Sequence, residues 1–207
     1  MKSLITSPFI NGHSIESKGH ELIPQTNPTT EEVFVEVHAA GLEELEMAVQ
    51  GAKSAFNDWR QRSPNERADM LYAIAHAIRQ QKDTLARWET QNIGKPAQDA
   101  KDEIELGARI FEYYAGAVGK YFGHTIPVSK KGLNMTLREP MGVVAAIVPW
   151  NFPFPIACWK VAPALAAGNT GILKPSSLSP LTALGLGKLA IEAGLPAGVL
   201  QVVPGRG

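Results

Sequence analysis

Residues 141–175 read MGVVAAIVPWNFPFPIACWKVAPALAAGNTGILKP, and this stretch decides the fold. Residues 143–148 form a continuous apolar run, which predicts a strand buried on both faces. Residues 156–167 predict a helix and residues 170–173 a second strand. A further helix and a third strand at residues 199–203 continue the alternation. This order predicts right-handed crossovers and a parallel sheet, and therefore an α/β fold.

The chain before this stretch is predicted to form short strands and a series of amphipathic helices. Ser63 and Glu66 form a capping box with Pro64 at the first helical position of one of them. On a later helix the charged face, Lys101, Asp102, Glu103 and Glu105, is interpreted as a solvated surface. Residues 125–137, with a Lys-Lys-Gly turn, predict a β-hairpin.

Composition excludes several classes of protein. The chain has 207 residues, with 20 Lys plus Arg against 20 Asp plus Glu, so the formal net charge is zero and we expect no nucleic-acid partner. Its single cysteine excludes a disulfide framework and fits the cytoplasm. Residues 141–159 are uncharged, but their prolines argue against a membrane span, and we expect no membrane partner. The five scattered histidines predict no metal site.

Ligands of open parallel sheets bind beyond the carboxyl ends of the strands. Three segments follow the predicted strands: residues 149–153, 174–177 and 205–207. They offer Trp150 and prolines as apolar walls, Lys174 as a cation, and hydroxyls at Ser176 and Ser177, which together suit a nucleotide. The alternative is that proline and glycine merely end the strands.

Two further side chains could carry chemistry. Asn151 could donate hydrogen bonds to a developing oxyanion, or it could be a turn residue satisfied by its own backbone. Cys158 is the single candidate thiol, but it lies within an apolar helical segment, where cysteine behaves as a small hydrophobic residue. No neighbouring base or cation is placed to activate it.

Three long motifs point to a family: LREPMGVVAAIVPWNFP at 137–153, WKVAPALAAGNTGILKP at 159–175 and EAGLPAGVLQVVPGRG at 192–207. In this order they resemble the aldehyde dehydrogenase superfamily, and within it the betaine-aldehyde or general small-aldehyde branch. The resemblance implies a partial Rossmann-like parallel sheet with flanking helices and a protruding β-hairpin. Residues 1–121 would be the helical and short-strand part of the cofactor domain, 122–140 an oligomerisation hairpin, and 141–207 the first part of the dinucleotide-binding sheet.

The resemblance also implies an activity and a set of site residues. In the family, a cysteine thiolate attacks an aldehyde, hydride passes to NAD or NADP, and an activated water releases the carboxylic acid. Asn151 would then be the side-chain donor of the oxyanion hole, and Lys160 an auxiliary proton relay. Phe152 and Trp159 would line the aldehyde tunnel. The expected coenzyme-binding residues are Ile147, Val148, Pro149, Trp150, Asn151, Lys174, Ser176, Ser177 and Gly207.

Two departures from the family pattern matter. Many NAD-preferring members have a glutamate where this chain has Ser177, so we expect NADP to be tolerated. The family's glycine-rich segment, glutamate base and cysteine nucleophile lie downstream of the matched region, and Cys158 does not match that nucleophile. We therefore expect the catalytic domain to be absent, an edge of the sheet to be open, and the isolated chain to be inactive.

The parent enzyme is expected to take a small aldehyde and to form a homo-oligomer through the hairpin. Two alternatives remain open at this point. One is a truncated nucleotide-binding or subunit-pairing module without catalysis. The other is a structural interaction protein without a ligand.

Overall fold

The computed structural model of the chain describes residues 4–16 and 21–206. Two small antiparallel hairpins form its amino-terminal part. Strands β1 (Phe9–Ile10) and β2 (His13–Ser14) flank a tight turn at Asn11 and Gly12, which both have positive φ. Strands β3 (Leu22–Thr26) and β4 (Val33–His38) form a separate two-stranded sheet.

Four helices follow: α1 (Leu42–Trp59), α2 (Pro64–Gln80), α3 (Lys82–Ile93) and α4 (Ala97–Ala117). The predicted capping box at α2 is confirmed, since Ser63 Oγ accepts from the Glu66 amide and the Glu66 carboxylate accepts from the Ser63 amide at 2.8 Å. Helix α3 ends at Gly94, whose φ of 74° is left-handed and favours glycine. A short 3₁₀ turn then leads to the predicted hairpin, strands β5 (Thr125–Ile126) and β6 (Asn134–Met135).

The rest of the chain alternates strand and helix as predicted: β7 (Val143–Ile147), α5 (Pro153–Ala166), β8 (Thr170–Lys174), α6 (Leu181–Glu192) and β9 (Leu200–Val202). Strands β7, β8 and β9 are parallel neighbours, which confirms the α/β fold. The order across the sheet is β2-β1-β9-β8-β7, with β1 antiparallel to β9. The amino-terminal hairpin therefore covers the β9 side of the sheet.

One prediction about the sheet was wrong. Residues 143–148 were expected to be buried on both faces, yet Ala145 and Ile147 are exposed, and Val143 and Val144 are partly exposed. The physical reason is the position of β7 at the end of the sheet, with β8 as its one neighbour among the described strands. The open edge that we expected is therefore the free side of β7.

Most helices bury their apolar faces in one large core that contains Phe111, Phe154, Leu165 and Leu173, while Ala48 and Ala52 of α1 pack in a smaller second cluster. Helices α4 and α5 approach closely at Gly107, where an added Cβ would lie 2.5 Å from Phe154 Cε1. This close contact holds the beginning of α5 in place. No helix in the described ranges is long and apolar enough to cross a membrane.

The solvated interpretation of the charged face of α4 was also wrong for two of its residues. The Glu103 carboxylate accepts a hydrogen bond from Lys95, and the two side chains are only 12% and 15% exposed. Glu105 pairs with Arg79 at 2.9 Å. Both carboxylates are partly buried because α4 packs between α2 and α3, which periodicity along a single helix cannot show.

Candidate functional site

The carboxyl ends of the parallel strands meet at one edge of the sheet, as the sequence predicted. Ile147 of β7 lies opposite Lys174 of β8, and Leu173 lies opposite Val202 of β9. The ladder continues past the strands, since the Val148 amide donates to the Lys174 carbonyl at 3.1 Å. Residues 149–152, 175–178 and 204–206 leave the sheet here, and we call these three segments the carboxyl edge.

Apolar side chains are available at this edge. Ile147 is 76% exposed and Trp150 is 56% exposed, which is unusual for side chains of this size beside a packed sheet. Pro149 is exposed between them. The Val148 side chain is buried in the core, so Val148 can reach a ligand at this edge only through its backbone.

Lys174 supplies a positive charge at the end of β8. Its side chain is partly buried, and the resulting desolvation lowers the pKa of its ammonium group. In the described part of the chain no carboxylate forms an ion pair with it. An ammonium group in this setting is suited to an anionic or hydroxyl-bearing ligand.

The segment after Lys174 is held by two side chains that sequence reasoning missed. The Gln25 side-chain amide donates to the Ser177 carbonyl at 3.0 Å, and the Asn92 side-chain amide donates to the Leu178 carbonyl at 3.1 Å. Asn92 also donates to Gln25 Oε1. The signal in the sequence is weak, because a buried glutamine or asparagine is recognised only once its burial is known.

The two serines at this edge differ. Ser176 Oγ accepts from the Leu178 amide at 3.2 Å and so takes part in a local turn. The Ser177 hydroxyl is partly exposed and makes no hydrogen bond within the described residues. Of the two hydroxyls, that of Ser177 is the more available to a ligand.

The third segment of the carboxyl edge is fixed by an ion pair. Arg206 Nη2 lies 2.6 Å from Glu21 Oε1, in the loop before β3. This contact lowers the pKa of the Glu21 carboxyl, chiefly through the hydrogen bond. Gly207, which was expected to lie near the adenine, is outside the described residues, as is His20.

Asn151 is exposed in the loop between β7 and α5. Within the described ranges its side chain makes no hydrogen bond to its own backbone or to another residue. The alternative of a turn asparagine satisfied by its own backbone is therefore not supported. The carboxamide is free to meet a ligand next to Trp150.

Farther along α5, Trp159 and Lys160 are exposed. Trp159 lines a cavity of about 420 Å³ together with Leu106, Arg109, Ile110, Tyr113 and Tyr114 of α4. Sequence reasoning predicted a ligand role for Trp159 but missed these α4 partners. A larger cavity of about 600 Å³ lies at the base of the hairpin, next to Ala166 and Ala167 at the opposite end of α5, and is separate from the carboxyl edge.

Cys158 is fully buried, as expected of a small hydrophobic residue. Burial raises the pKa of its thiol well above the usual value, and the nearby Glu89 carboxylate raises it further. A thiol in this state is a poor nucleophile. In the described ranges, no group of three His, Cys, Asp or Glu side chains is placed to hold a metal ion.

Among the described carboxyl groups near the site, Glu89 is the one whose pKa is strongly shifted, and sequence reasoning gave it no role. It lies on α3 with 1% of its surface exposed, and burial raises the pKa of its carboxyl to about 7. Its Oε1 accepts a 2.6 Å hydrogen bond from Thr182 of α6, while Oε2 has no hydrogen-bond partner. The sequence contained one sign that Glu89 is buried: it lies one turn after Leu85, on the apolar face of α3.

The fold and the carboxyl edge place the chain in the class of Rossmann-like α/β proteins. Comparisons with known proteins identify its family. The model of the aldehyde dehydrogenase family matches residues 14–207. The chain is 42% identical over 205 residues to Aldehyde dehydrogenase family 2 member B4, mitochondrial, of Arabidopsis thaliana, covering 98% of this chain and 38% of that protein. It is also 42% identical over 202 residues to the NADP/NAD-dependent aldehyde dehydrogenase PuuC of Escherichia coli K12, covering 96% and 41%.

Solved structures agree with this result. The indole-3-acetaldehyde dehydrogenase AldA of P. syringae, solved with NAD+ and IAA, matches with a TM-score of 0.95 at 38% identity, covering 99% of this chain and 42% of that one. The chain therefore belongs to the aldehyde dehydrogenase family. It spans about two fifths of the length of the curated relatives named above.

Proposed function

We propose that the chain forms the coenzyme-binding part of an NAD(P)-dependent aldehyde dehydrogenase that oxidises a small aldehyde to its carboxylic acid. One observation carries the proposal: the exposed residues Trp150 and Asn151 follow β7 at the carboxyl edge, where the strand register pairs the end of β7 with Lys174 of β8. A relative whose name states NADP and NAD dependence supports it.

The carboxyl edge fits a dinucleotide by its chemistry. Ile147, Pro149 and Trp150 offer an apolar wall, with Val148 contributing backbone. Lys174 can donate to the ribose hydroxyls of the adenosine half, and Ser176 and Ser177 lie next to it. When bound, the nicotinamide ring accepts the hydride that leaves the aldehyde carbon.

The chain's own residues would then orient the aldehyde. The Asn151 side-chain amide donates to the carbonyl oxygen, where negative charge develops during the reaction. Phe152 and Trp159 line the path of the aldehyde, and the cavity beside Trp159 supports this assignment. Lys160, exposed on the same helix, is placed in an auxiliary proton relay.

The nucleophile of the reaction lies outside these 207 residues in this proposal. Cys158 is the single cysteine of the sequence, and burial holds its thiol in the protonated form. The isolated chain is therefore inactive, and the thiolate and the glutamate base come from further sequence of the protein. The single cysteine is also the reason to place the protein in the cytoplasm.

Two finer assignments belong to the same proposal. Ser177 provides no carboxylate to repel a 2′-phosphate, so NADP is accepted as well as NAD.

The β5–β6 hairpin projects with both strands exposed, and its apolar side chains Leu133 and Leu137 are largely uncovered. These features support a role for the hairpin in forming a homo-oligomer.

A second candidate function is a nucleotide-binding or subunit-pairing module without catalysis. The buried Cys158 and the uncovered hairpin favour it as a description of the 207-residue chain by itself. The two candidates share the coenzyme site and differ in whether a nucleophile exists in the same protein.

Sequencing the coding DNA past codon 207 separates the two candidates. We expect the reading frame to continue into a glycine-rich segment, a glutamate and a cysteine. A stop codon there would support the module instead.

In parallel, the purified 207-residue chain is mixed with NAD+ and a small aldehyde such as betaine aldehyde. We expect coenzyme binding without NADH formation, and turnover by this chain alone would overturn its proposed inactivity.

A further inference from the structure

The first turn of α5 has an unusual shortage of backbone donors. Helix α5 begins directly after Asn151 and Phe152, and its first and third residues, Pro153 and Pro155, have no N–H. Phe152 is the N-cap and makes no side-chain capping bond. Among the first three helical residues, the Phe154 amide is therefore the one donor that points out of the helix without an intrahelical acceptor.

Glu89 brings a carboxylate to this donor from another helix. The Glu89 side chain is buried and its Oε2 accepts no hydrogen bond within the described residues, and the Phe154 amide is the smallest of the influences that favour its charged form. The other oxygen is held by Thr182 at 2.6 Å. A buried negative group at a helix N-terminus that lacks a local cap interacts favourably with the helix dipole. Glu89 therefore acts on the beginning of α5 through the charge of its carboxylate and not through a capping hydrogen bond.

Lys95 reaches the neighbouring residue of the same loop. Its Nζ lies 4.3 Å from the centre of the Phe152 ring, over the ring face, and its ammonium group also pairs with Glu103. The Lys95 side chain is mostly buried and the Phe152 ring is 45% exposed, and a cation–π contact of this kind restrains the ring. The preceding residue, Gly94, packs closely against Pro28, since an added Cβ there would lie 2.8 Å from Pro28 Cγ.

We propose that Glu89 and Lys95 are positioning residues that set the direction of the Asn151 side chain, Glu89 through the first turn of α5 and Lys95 through the Phe152 ring. Asn151 makes no side-chain hydrogen bond within the described residues, so its direction depends on the loop that carries it. Phe154 and Phe152 anchor one end of that loop. The inference rests on the proposed role of Asn151 at the carboxyl edge.

The test follows ¹⁵N-labelled 207-residue chain by NMR from about pH 5 to about pH 8. The expected result is one ionisation that moves both the Phe154 backbone amide and the Asn151 side-chain amide, and that disappears in Glu89→Gln. The titratable groups facing Glu89 are Lys95, Glu103 and Cys158, and the midpoint belongs to Glu89 if the substitution removes it. Asn151 signals that stay unchanged would overturn the proposal, because a purely structural Glu89 would alter stability without moving Asn151.

Matched controls make the result specific. Glu44→Gln changes another buried glutamate at a helix N-terminus, where it accepts from the Gly41 amide, and should leave the titration of Phe154 and Asn151 intact. Lys95→Met should shift the Phe152 ring signals and the Asn151 amide, whereas Lys101→Met, on the exposed ion pair with Asp83, should not. Equal effects of the two lysine variants would contradict the role of Lys95.

A second variant covers the case in which Glu89→Gln does not fold. Thr182→Val keeps the carboxylate but removes the hydroxyl that stabilises its charged form, so the midpoint sensed at Phe154 should move to higher pH. An unchanged midpoint would overturn the proposal. NAD+ binding by the unsubstituted chain is measured separately. Its absence would count against the proposed function, while the Asn151 titration decides the positioning role.

Discussion

The backbone N–H of Val148 donates a 3.1 Å hydrogen bond to the carbonyl oxygen of Lys174. This bond extends the parallel ladder one step beyond β7, so residues 149–152 leave the sheet next to the backbone of Lys174. A local apolar sequence and a lysine 26 positions after Val148 are thereby brought to the same edge of the sheet. The proposed coenzyme site depends on this junction.

The pH dependence of stability should reveal Glu89. Burial raises its pKa from 4.5 to about 7, so between these values the native state retains a proton that the unfolded state releases. The stability contribution is thus fully present below about pH 4.5 and is lost as the pH rises to about 7, by about 3 kcal/mol. Urea unfolding of Glu89→Gln should lack this decline.

Glu66→Gln is the control for that experiment. Hydrogen bonds from Ser63 lower the pKa of the Glu66 carboxyl, so its contribution is present at higher pH and is lost as the pH falls below its ordinary value. The direction of the stability change with pH, and the pH range in which it occurs, both differ from those expected for Glu89. A Glu89→Gln variant with the same decline as the unsubstituted chain would show that Glu89 is not the responsible group.

Gly107 should not tolerate a larger side chain. In Gly107→Ala the new Cβ would lie 2.5 Å from Phe154 Cε1 and 3.0 Å from Cys158 Sγ, inside the tight contact of α4 with α5. We expect the free energy of unfolding to fall by about 1–3 kcal/mol. Thermal or urea unfolding measures this loss.

Gly116→Ala on the same helix is the matched substitution. Its Cβ would lie 3.5 Å from the Tyr72 hydroxyl, an ordinary contact, and alanine favours a helix. We expect a gain of up to about 1 kcal/mol. Equal effects at the two positions would contradict the close packing described at Gly107.

Coenzyme choice should respond to charge at Ser177. The Gln25 side-chain amide donates to the Ser177 carbonyl. The Ser177 side chain can therefore be replaced while the Ser177 backbone stays in place. In Ser177→Glu we expect NADP+ binding to weaken by about tenfold relative to NAD+, because a carboxylate repels the 2′-phosphate. Isothermal titration of both coenzymes measures the ratio.

Leu178→Glu adds the same charge one residue farther along, on a side chain that is already exposed. It should change the ratio less than Ser177→Glu. NADP+ binding by Ser177→Glu that equals or exceeds that of the unsubstituted chain would refute the role given to Ser177.

Much of the fold could be predicted because its signals are local. Apolar runs, prolines and the Ser63–Glu66 cap mark the elements of the α/β alternation, and alternating order implies parallel strands. The exposure of Ile147 could not be predicted in this way. An apolar run looks the same in a central strand and at an edge, and only the strand order distinguishes them.

The residues of the candidate site can also be divided into those with a local signal in the sequence and those without one. Trp150 and Lys174 could be proposed from the sequence because each follows a predicted strand, whereas the role proposed for Asn151 came from the family resemblance. Glu89, Asn92 and Gln25 were missed, since each acts through a partner at least 67 residues away. A polar residue on an apolar helix face was the available sign, and its partners could be named only from the packing.

The most direct test of the coenzyme site is NAD+ binding to the 207-residue chain and to Lys174→Met, measured by isothermal titration. Lys188→Met is the matched control, because Lys188 lies on α6 in a 3.8 Å pair with Glu192, away from the carboxyl edge. We expect the unsubstituted chain and Lys188→Met to bind NAD+ alike, and Lys174→Met to bind about tenfold more weakly. Equal binding by all three chains, or no binding by the unsubstituted chain, would contradict the proposed site.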